Sequence, residues 1–374
     1  MNPEVLVNEL KNSGVDFYTG VPDSFLYGFC SYIQEHIDAR HHVTAANEGN
    51  AIGIAAGHYL ASGKVPVVYM QNSGMGNAFN PLVSLADKYV YAIPMILVIG
   101  WRGEPGIGDH EQHKTQGELT TRLLDDMGIP YKIVGPESSE REYAKWAADQ
   151  ARALRQSVAL IVRKGALSGD KKKPVDDSFP LRREDVIRIL LDHMPKDTIF
   201  AATTGRATRE LHILRDERGE GHEKDFLNVG SMGHASSVAM GIALEKPRRQ
   251  VVCFDGDAAA IMHMGAFAAI DKRRIPNFLH VILNNGSHES VGGQPSVGHE
   301  ICFTGIAENC GYQTAGKAIT NAEDLIGVLK QMESREKAGF IDVKIRSGLR
   351  DGLGPLKASL KDEIDLLHTE LCSD

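Results

Sequence analysis

The chain reads as an α/β protein of two mostly parallel-sheet domains, each sheet flanked by helices, with no third domain between them. Three observations lead there. Short apolar, β-branched runs alternate with helix-like segments along most of the sequence. One stretch spells a whole strand–loop–helix–strand unit, which takes about 30 residues. It runs from Val251–Phe254, through the turn Asp255-Gly256-Asp257-Ala258 and a helix-like 259–272, to His280–Leu283 and Asn284-Asn285. Finally, two segments echo each other. Glu48 to Gly57 precedes a run ending at Gln71, and Met232 to Gly241 precedes one ending at Asp255. The interval from Gly49 to Gln71 equals that from Gly233 to Asp255, and both segments are rich in small residues that let a helix pack closely.

The elements follow in order. Strand candidates in the first half are 65–70, 91–99 and 158–163; in the second they are 198–202, 251–254, 280–283 and 340–345. Between them, 165–184 is rich in Lys, Pro, Asp and Ser and contains Lys171-Lys172-Lys173-Pro174, the composition of a solvated linker. Domains are therefore placed at 1–168 and 184–374, with a linker at 169–183. A length of 374 residues suits two domains, and 42% hydrophobic with 24% charged residues is ordinary for a globular chain. A formal charge of −8 argues against nucleic-acid or membrane-surface partners. No apolar run approaches a membrane span, and Met1-Asn2-Pro3-Glu4 does not open a signal peptide. The five scattered cysteines form no Cys-x-x-Cys pair, so the expected setting is cytoplasmic and reducing, without structural zinc.

The unit at 251–285 carries chemistry. A right-handed crossover brings the C-terminal ends of both strands to one sheet edge, where open α/β proteins bind ligands. Asp257 and an asparagine, Asn285, arrive there together. One carboxylate and one amide oxygen suit a Mg²⁺ that keeps some water and shares phosphate oxygens. The bland reading is two polar turns, since Asp and Asn are common turn formers.

Gly256-Asp257-Ala258, a spacer and Asn284-Asn285 together resemble the signature of thiamin-diphosphate enzymes. The resemblance implies Mg²⁺ on Asp257, Asn285 and the carbonyl of Ser287, with the diphosphate bound to the ion beside Gly256 and Ala258. Ala258 stands where the family has glycine, a departure that matters only if the position needs φ > 0. It also implies a pair of thiamin-diphosphate-binding folds, 1–168 for the pyrimidine ring and 184–374 for the diphosphate. Glu48 occupies the place of the activating glutamate, whose carboxyl hydrogen-bonds the pyrimidine and primes the cofactor. Without that context, Glu48 would read as an acid favoured at a helix N-terminus. Gly230 to His234 matches the loop whose apolar residue, Met232 beside Ser231, props the cofactor. Thr204 and Gly205, at another strand end, are candidate donors to the diphosphate.

Further segments resemble the small two-domain decarboxylases of this family: Gly20 to Ser24, Gly100 to Gly103, Gly108 to Lys114 and Asn284 to Gln294. Larger members insert a third domain, for which this chain has no room. The resemblance implies decarboxylation of 3-phosphonopyruvate to phosphonoacetaldehyde and CO₂ in phosphonate biosynthesis, with sulfopyruvate as the alternative substrate and another 2-oxo acid decarboxylase or carboligase as the next alternative. Fusion into one chain favours the phosphonate, because sulfopyruvate enzymes are often split into two subunits. Ser24 and His113 join Glu48 as catalytic candidates. A doubly anionic 2-oxo acid needs cations or donors, for which Asp23, Ser24, Arg102, Lys114, His288 and Ser290 are the candidates around the substrate. The glycine-rich 286–298 reads as a lid. The family also implies a homodimer or larger homo-oligomer with active sites at the subunit interface.

Two enzyme alternatives and one non-enzyme alternative compete. Gly74-Met75-Gly76-Asn77-Ala78-Phe79 approaches the nicotinamide fingerprint but ends in Phe79 instead of glycine. His110 and His113 lack the His-Glu-x-x-His spacing of zinc proteases. A thiamin-fold partner subunit without catalysis would need neither Glu48 nor Asp257.

Overall fold

A computed structural model describes the whole chain except residues 168, 170–177, 271–274, 349, 351, 355, 357, 358 and 374. It divides into two compact units, Met1–Lys173 with Val291–Gln294, and Pro174–Ser290 with Pro295–Asp374. Most of the expected linker at 169–183 lies outside the described residues, and the first helix after it starts at Arg183.

Among the described residues the first unit holds six strands: β1 (Tyr18–Gly20), β2 (His42–Thr44), β3 (Val67–Gln71), β4 (Ile96–Gly100), β5 (Tyr131–Val134) and β6 (Val158–Val162). They lie in the order β2-β1-β3-β4-β6-β5, and every pairing is parallel. The second unit holds β7 (Ile199–Ala202), β8 (Asp225–Leu227), β9 (Val251–Gly256) and β10 (Phe278–Asn284). A small hairpin follows, β11 (Ser287–His288) with β12 (Gln294–Pro295), and then β13 (Gln313–Thr314) and β14 (Gly339–Lys344). The six-stranded sheet here runs β8-β7-β9-β10-β14-β13, again all parallel. Leaving the hairpin aside, the two sheets have one and the same topology, which accounts for the repeated small-residue segments.

Both sheets are buried on both faces, so their strands read as continuous apolar runs. Alternate residues go to opposite cores. Val67 and Tyr69 join one cluster and Val68 and Met70 another. Likewise Val252 and Phe254 face one side of the second sheet, Val251 and Cys253 the other.

Differences from the expected elements have local causes. β3 begins at Val67 and β4 at Ile96, each just past a proline (Pro66, Pro94) that has no N–H for the ladder. The helix expected over 259–272 is instead a short α-helix, Asp257–Met262, and a 3₁₀ turn, Met264–Ala269, separated at His263 with φ −130° and ψ 42°. Its last part falls on residues 271–274, outside the described ones. The glycine-rich run at 286–298 contains the β11–β12 hairpin.

Candidate active site

Parallel order puts the C-terminal ends of neighbouring strands at one edge of each sheet. In the second unit the adjacent strands β8, β7, β9 and β10 lead there into the loops of Ser231 and Met232, of Thr204 and Gly205, of Asp257, and of Asn285 and Ser287. In the first unit the corresponding strands β2, β1, β3 and β4 lead into the loops of Glu48, of Asp23 and Ser24, of Asn72–Gly74, and of Arg102. Each unit thus gathers its candidates on the same four positions of the shared topology.

Asp257 opens its helix directly after β9 and is 2% exposed. Its carboxylate accepts from the Ser296 hydroxyl and from the Asn285 backbone N–H. Burial pushes its pKa up to about 6 against both bonds. A buried carboxylate held at that cost is one that a bound dication would stabilise. A Cβ at Gly298 would lie 2.5 Å from Asp257 Oδ2 and 2.7 Å from Asn284 Oδ1, so only glycine lets that backbone close over the acid. Asn285 Oδ1 accepts from Ser287 N at 3.1 Å, while its Nδ2 donates to Glu289 at 3.3 Å. Glu289 in turn pairs with Arg183, accepts from Gly348 N at 2.5 Å, and faces Arg206 Nε at 3.7 Å. The first asparagine of the pair is structural: Asn284 Nδ2 donates to Gly298 O at 2.8 Å and to Asp342 at 3.1 Å.

Around this edge, Gly205 has φ +101° and caps the helix Arg206–Glu217, and Ser290 packs beside it. The buried Thr203 hydroxyl has no partner among the described residues. Ser231 takes φ +49°, Met232 is half-buried, and Gly233 at φ +86° sits against His263. An orphaned hydroxyl, a metal-type carboxylate and an amide oxygen at adjacent strand ends fit a diphosphate with its cation. Ala258 is helical, so the departure from glycine carries no positive-φ strain. His288 is half-buried and burial lowers its pKa to about 4, leaving a neutral ring at neutral pH.

Glu48 is the first residue of the helix Glu48–Ser62, capped by the Asn47 side chain, which accepts from Asn50 N at 2.9 Å. It is 5% exposed, and its Oε2 accepts from Asn77 Nδ2 at 2.8 Å. Burial raises its pKa above the usual carboxylate range, with Asn77 working against the rise. The carboxyl lies so close to Gly74 that no side chain fits there. A buried acid biased toward its protonated form at a helix start is suited to donating a hydrogen bond to a ring nitrogen.

The loops after β1 and β4 are tied together. Asp23 is fully buried, and its oxygens accept from Gln71 Nε2 at 2.6 Å and from Phe25 N at 2.9 Å. That occupies its carboxylate in shaping the Ser24 turn. Arg102 donates to Asp109 through Nε at 2.7 Å and Nη2 at 2.6 Å, and to Ser24 Oγ at 3.2 Å. Burial favours protonating Asp109, but Arg102 and the N–H groups of His110 and Gly103 hold its pKa well below the carboxylate range. A cleft of about 710 Å³ is lined here by Ser24, Phe25, Arg102, Asp109, His110 and Lys164, among others. Neither Glu48 nor His113 lines it. The His113 pKa is lowered by burial and by Arg102, and its Nδ1 is buried without a partner among the described residues. Lys114 forms an exposed pair with Glu111 at 2.8 Å. Sequence reasoning passed over Asn77, Gly74, Ser296, Glu289 and Lys164. Only Lys164, a cation just past a strand end, carried a local signal.

Comparisons with known proteins extend this picture. Residues 3–127 match the thiamine pyrophosphate enzyme N-terminal TPP-binding domain, and 214–343 the C-terminal TPP-binding domain. A phosphonopyruvate decarboxylase of Streptomyces viridochromogenes is 30% identical over 95% of this chain and 91% of its own. One from Streptomyces hygroscopicus is 31% identical over 92% and 88%. A sulfopyruvate decarboxylase of Methanosarcina acetivorans is 27% identical over 93% of this chain and 92% of its own. That last relative spans both halves in one chain, so fusion alone does not separate the two substrates.

Proposed function

Because this chain belongs to the thiamine pyrophosphate enzymes, we propose that it decarboxylates 3-phosphonopyruvate to phosphonoacetaldehyde and CO₂, a step of phosphonate biosynthesis. The observation that carries the reading is likeness to phosphonopyruvate decarboxylases along 95% of the chain, with both motif-bearing sheet edges intact. Bound thiamin diphosphate supplies the nucleophilic carbon and the electron sink that let CO₂ leave.

The residues divide the work. Asp257, Asn285 and the Ser287 carbonyl hold Mg²⁺, and Glu289 keeps the Asn285 amide turned so that its oxygen can serve. Thr204, Gly205, Ser231, Gly256 and Ala258 bind the diphosphate side, and Met232 supports the cofactor. Glu48, whose carboxyl burial biases toward protonation, hydrogen-bonds the pyrimidine. Arg102 and Ser24, fixed to each other, receive an anionic end of the substrate, with Asp23 positioning their loop. His113 is neutral at neutral pH and suited to proton transfer. Lys114, His288 and Ser290 complete the substrate set, His288 as a hydrogen-bonding and not a cationic group.

A homodimer or larger homo-oligomer with active sites at the subunit interface belongs to the same reading, as does a cytoplasmic setting. All five cysteines are free, and among the described residues no helix is long and apolar enough to cross a membrane. The test is CO₂ release from phosphonopyruvate, sulfopyruvate and pyruvate at equal concentration. The highest kcat/KM falls on phosphonopyruvate; a preference for sulfopyruvate overturns the substrate assignment and keeps the cofactor chemistry.

A further inference from the structure

The helix Arg206–Glu217 starts at the sheet edge described above and runs about 15 Å back toward the other edge before Asp216. Near its end it meets the turn before β8. His212 and Asp216, one helical turn apart on one face, lie there with His222. His222 Nε2 is 3.0 Å from Asp216 Oδ1, and His212 Nδ1 is 3.4 Å from Asp216 Oδ2. One nitrogen from each ring and a carboxylate oxygen all fall within 4.8 Å of one another.

Two further observations point to a ligand. The other nitrogen of His222, Nδ1, faces Asp225 Oδ2 at 3.9 Å, and Asp225 is fully buried and held by Arg215 at 2.9 and 3.0 Å. At that distance Nδ1 makes no hydrogen bond among the described residues, and a small turn of the ring would bring it onto the kind of carboxylate that orients metal-binding histidines. From the helix Leu360–Cys372, Glu363 is 8% exposed with Oε2 lacking any hydrogen-bond partner among the described residues, and its charge acts on both rings. Glu363 is thus a buried carboxylate with one oxygen left without a hydrogen bond and a charge felt by both rings.

We propose that His212, Asp216 and His222 bind a transition-metal dication of the Zn²⁺ or Co²⁺ type, apart from the thiamin site, with Glu363 neutralising or completing the set. Two imidazole nitrogens with carboxylate oxygen favour such ions over Mg²⁺. The rings now stack at 3.9 Å and 12° from parallel. A metal takes lone pairs in the ring planes, so binding turns one ring out of the stack. The Asp216 side chain is 59% exposed, which leaves an entry path. Because the rings must be neutral to bind, uptake releases any proton they carry and weakens at acid pH.

The experiment is a Co²⁺ titration of chelator-treated full-length protein, saturated with thiamin diphosphate and Mg²⁺ to cover the other site. The expected result is one equivalent of Co²⁺ with visible ligand-field bands of a nitrogen–oxygen site and no thiolate charge transfer. His222→Ala and Asp216→Asn each weaken binding by at least about tenfold, the scale set by disturbing a metal shell. Asp216→Asn alters an exposed side chain and decides the matter should His222→Ala fail to fold. Absence of Co²⁺ binding, unchanged affinity in Asp216→Asn, or thiolate bands that vanish on cysteine alkylation would each overturn the proposal.

Discussion

Gly74→Ala is the sharpest probe of Glu48, because it perturbs the acid without touching it. Gly74 has φ −70° and ψ −15°, which alanine adopts freely, so backbone strain is not introduced. The added Cβ would stand 2.5 Å from both Cγ and Cδ of Glu48, where ordinary contacts begin at 3.4 Å. Glu48 heads a helix capped by Asn47 and is pinned by Asn77, so its carboxyl must swing away by about 1 Å and strain the Asn77 bond. A displacement of about 1 Å at a reacting group costs about 10²-fold in rate. Overpacking adds about 1–3 kcal/mol of destabilisation, which leaves a folded protein to assay. The assay is kcat for phosphonopyruvate alongside calorimetric affinity for thiamin diphosphate. A fall of about 10²-fold in kcat with retained cofactor affinity is expected. Turnover within threefold of wild type, in a protein whose melting shows the packing strain, would refute the role given to Glu48.

Other expectations follow from the same geometry. Glu48→Gln and Asp257→Ala are each expected to be inactive alone, the first losing about 10²–10⁴-fold in turnover and the second its Mg²⁺-dependent cofactor binding. Mixed and reassociated, they should regain activity if each site draws on two subunits; no recovery in a verified hybrid counts against interface sites. Asp257, with its pKa raised to about 6, stabilises the apo protein below about pH 4 and loses that contribution as pH rises through 6. Mg²⁺ needs the ionised form, so calorimetry should show its affinity dropping below pH 6; a flat profile down to pH 5 contradicts the assignment. Glu289→Gln removes one of the two carboxylate partners of buried Arg183, leaving Glu210, and loosens Asn285, lowering Tm and weakening Mg²⁺ by about 10–100-fold. Lower Tm with unchanged Mg²⁺ affinity would make Glu289 purely structural.

What the sequence disclosed, and what it hid, follows from contact range. Doubly buried strands announce themselves as apolar runs, which is why β9 and β10 and the acid and amide at their ends were readable. Strands of two to four residues, such as β1 and β13, are too short to show a period. The helix break at His263, whose ring lies 4.3 Å from that of His234, has no proline to announce it. The partners that tune the site are common polar residues distant in sequence: Asn77 for Glu48, Ser296 for Asp257. The sequence marks Arg102 and Lys114 as cations but not their ion-pair partners, Asp109 and Glu111. Asp109 lies within the segment Gly108 to Lys114, but its bidentate bond to Arg102 forms only in the folded chain.

The most direct measurement is phosphonopyruvate decarboxylation by chelator-treated protein, with thiamin diphosphate and Mg²⁺ returned separately and together. CO₂ should form only when both are present, and Asp257→Ala should stay silent in all four conditions. Wild-type protein that is inactive with both, or equally active with neither, contradicts the account.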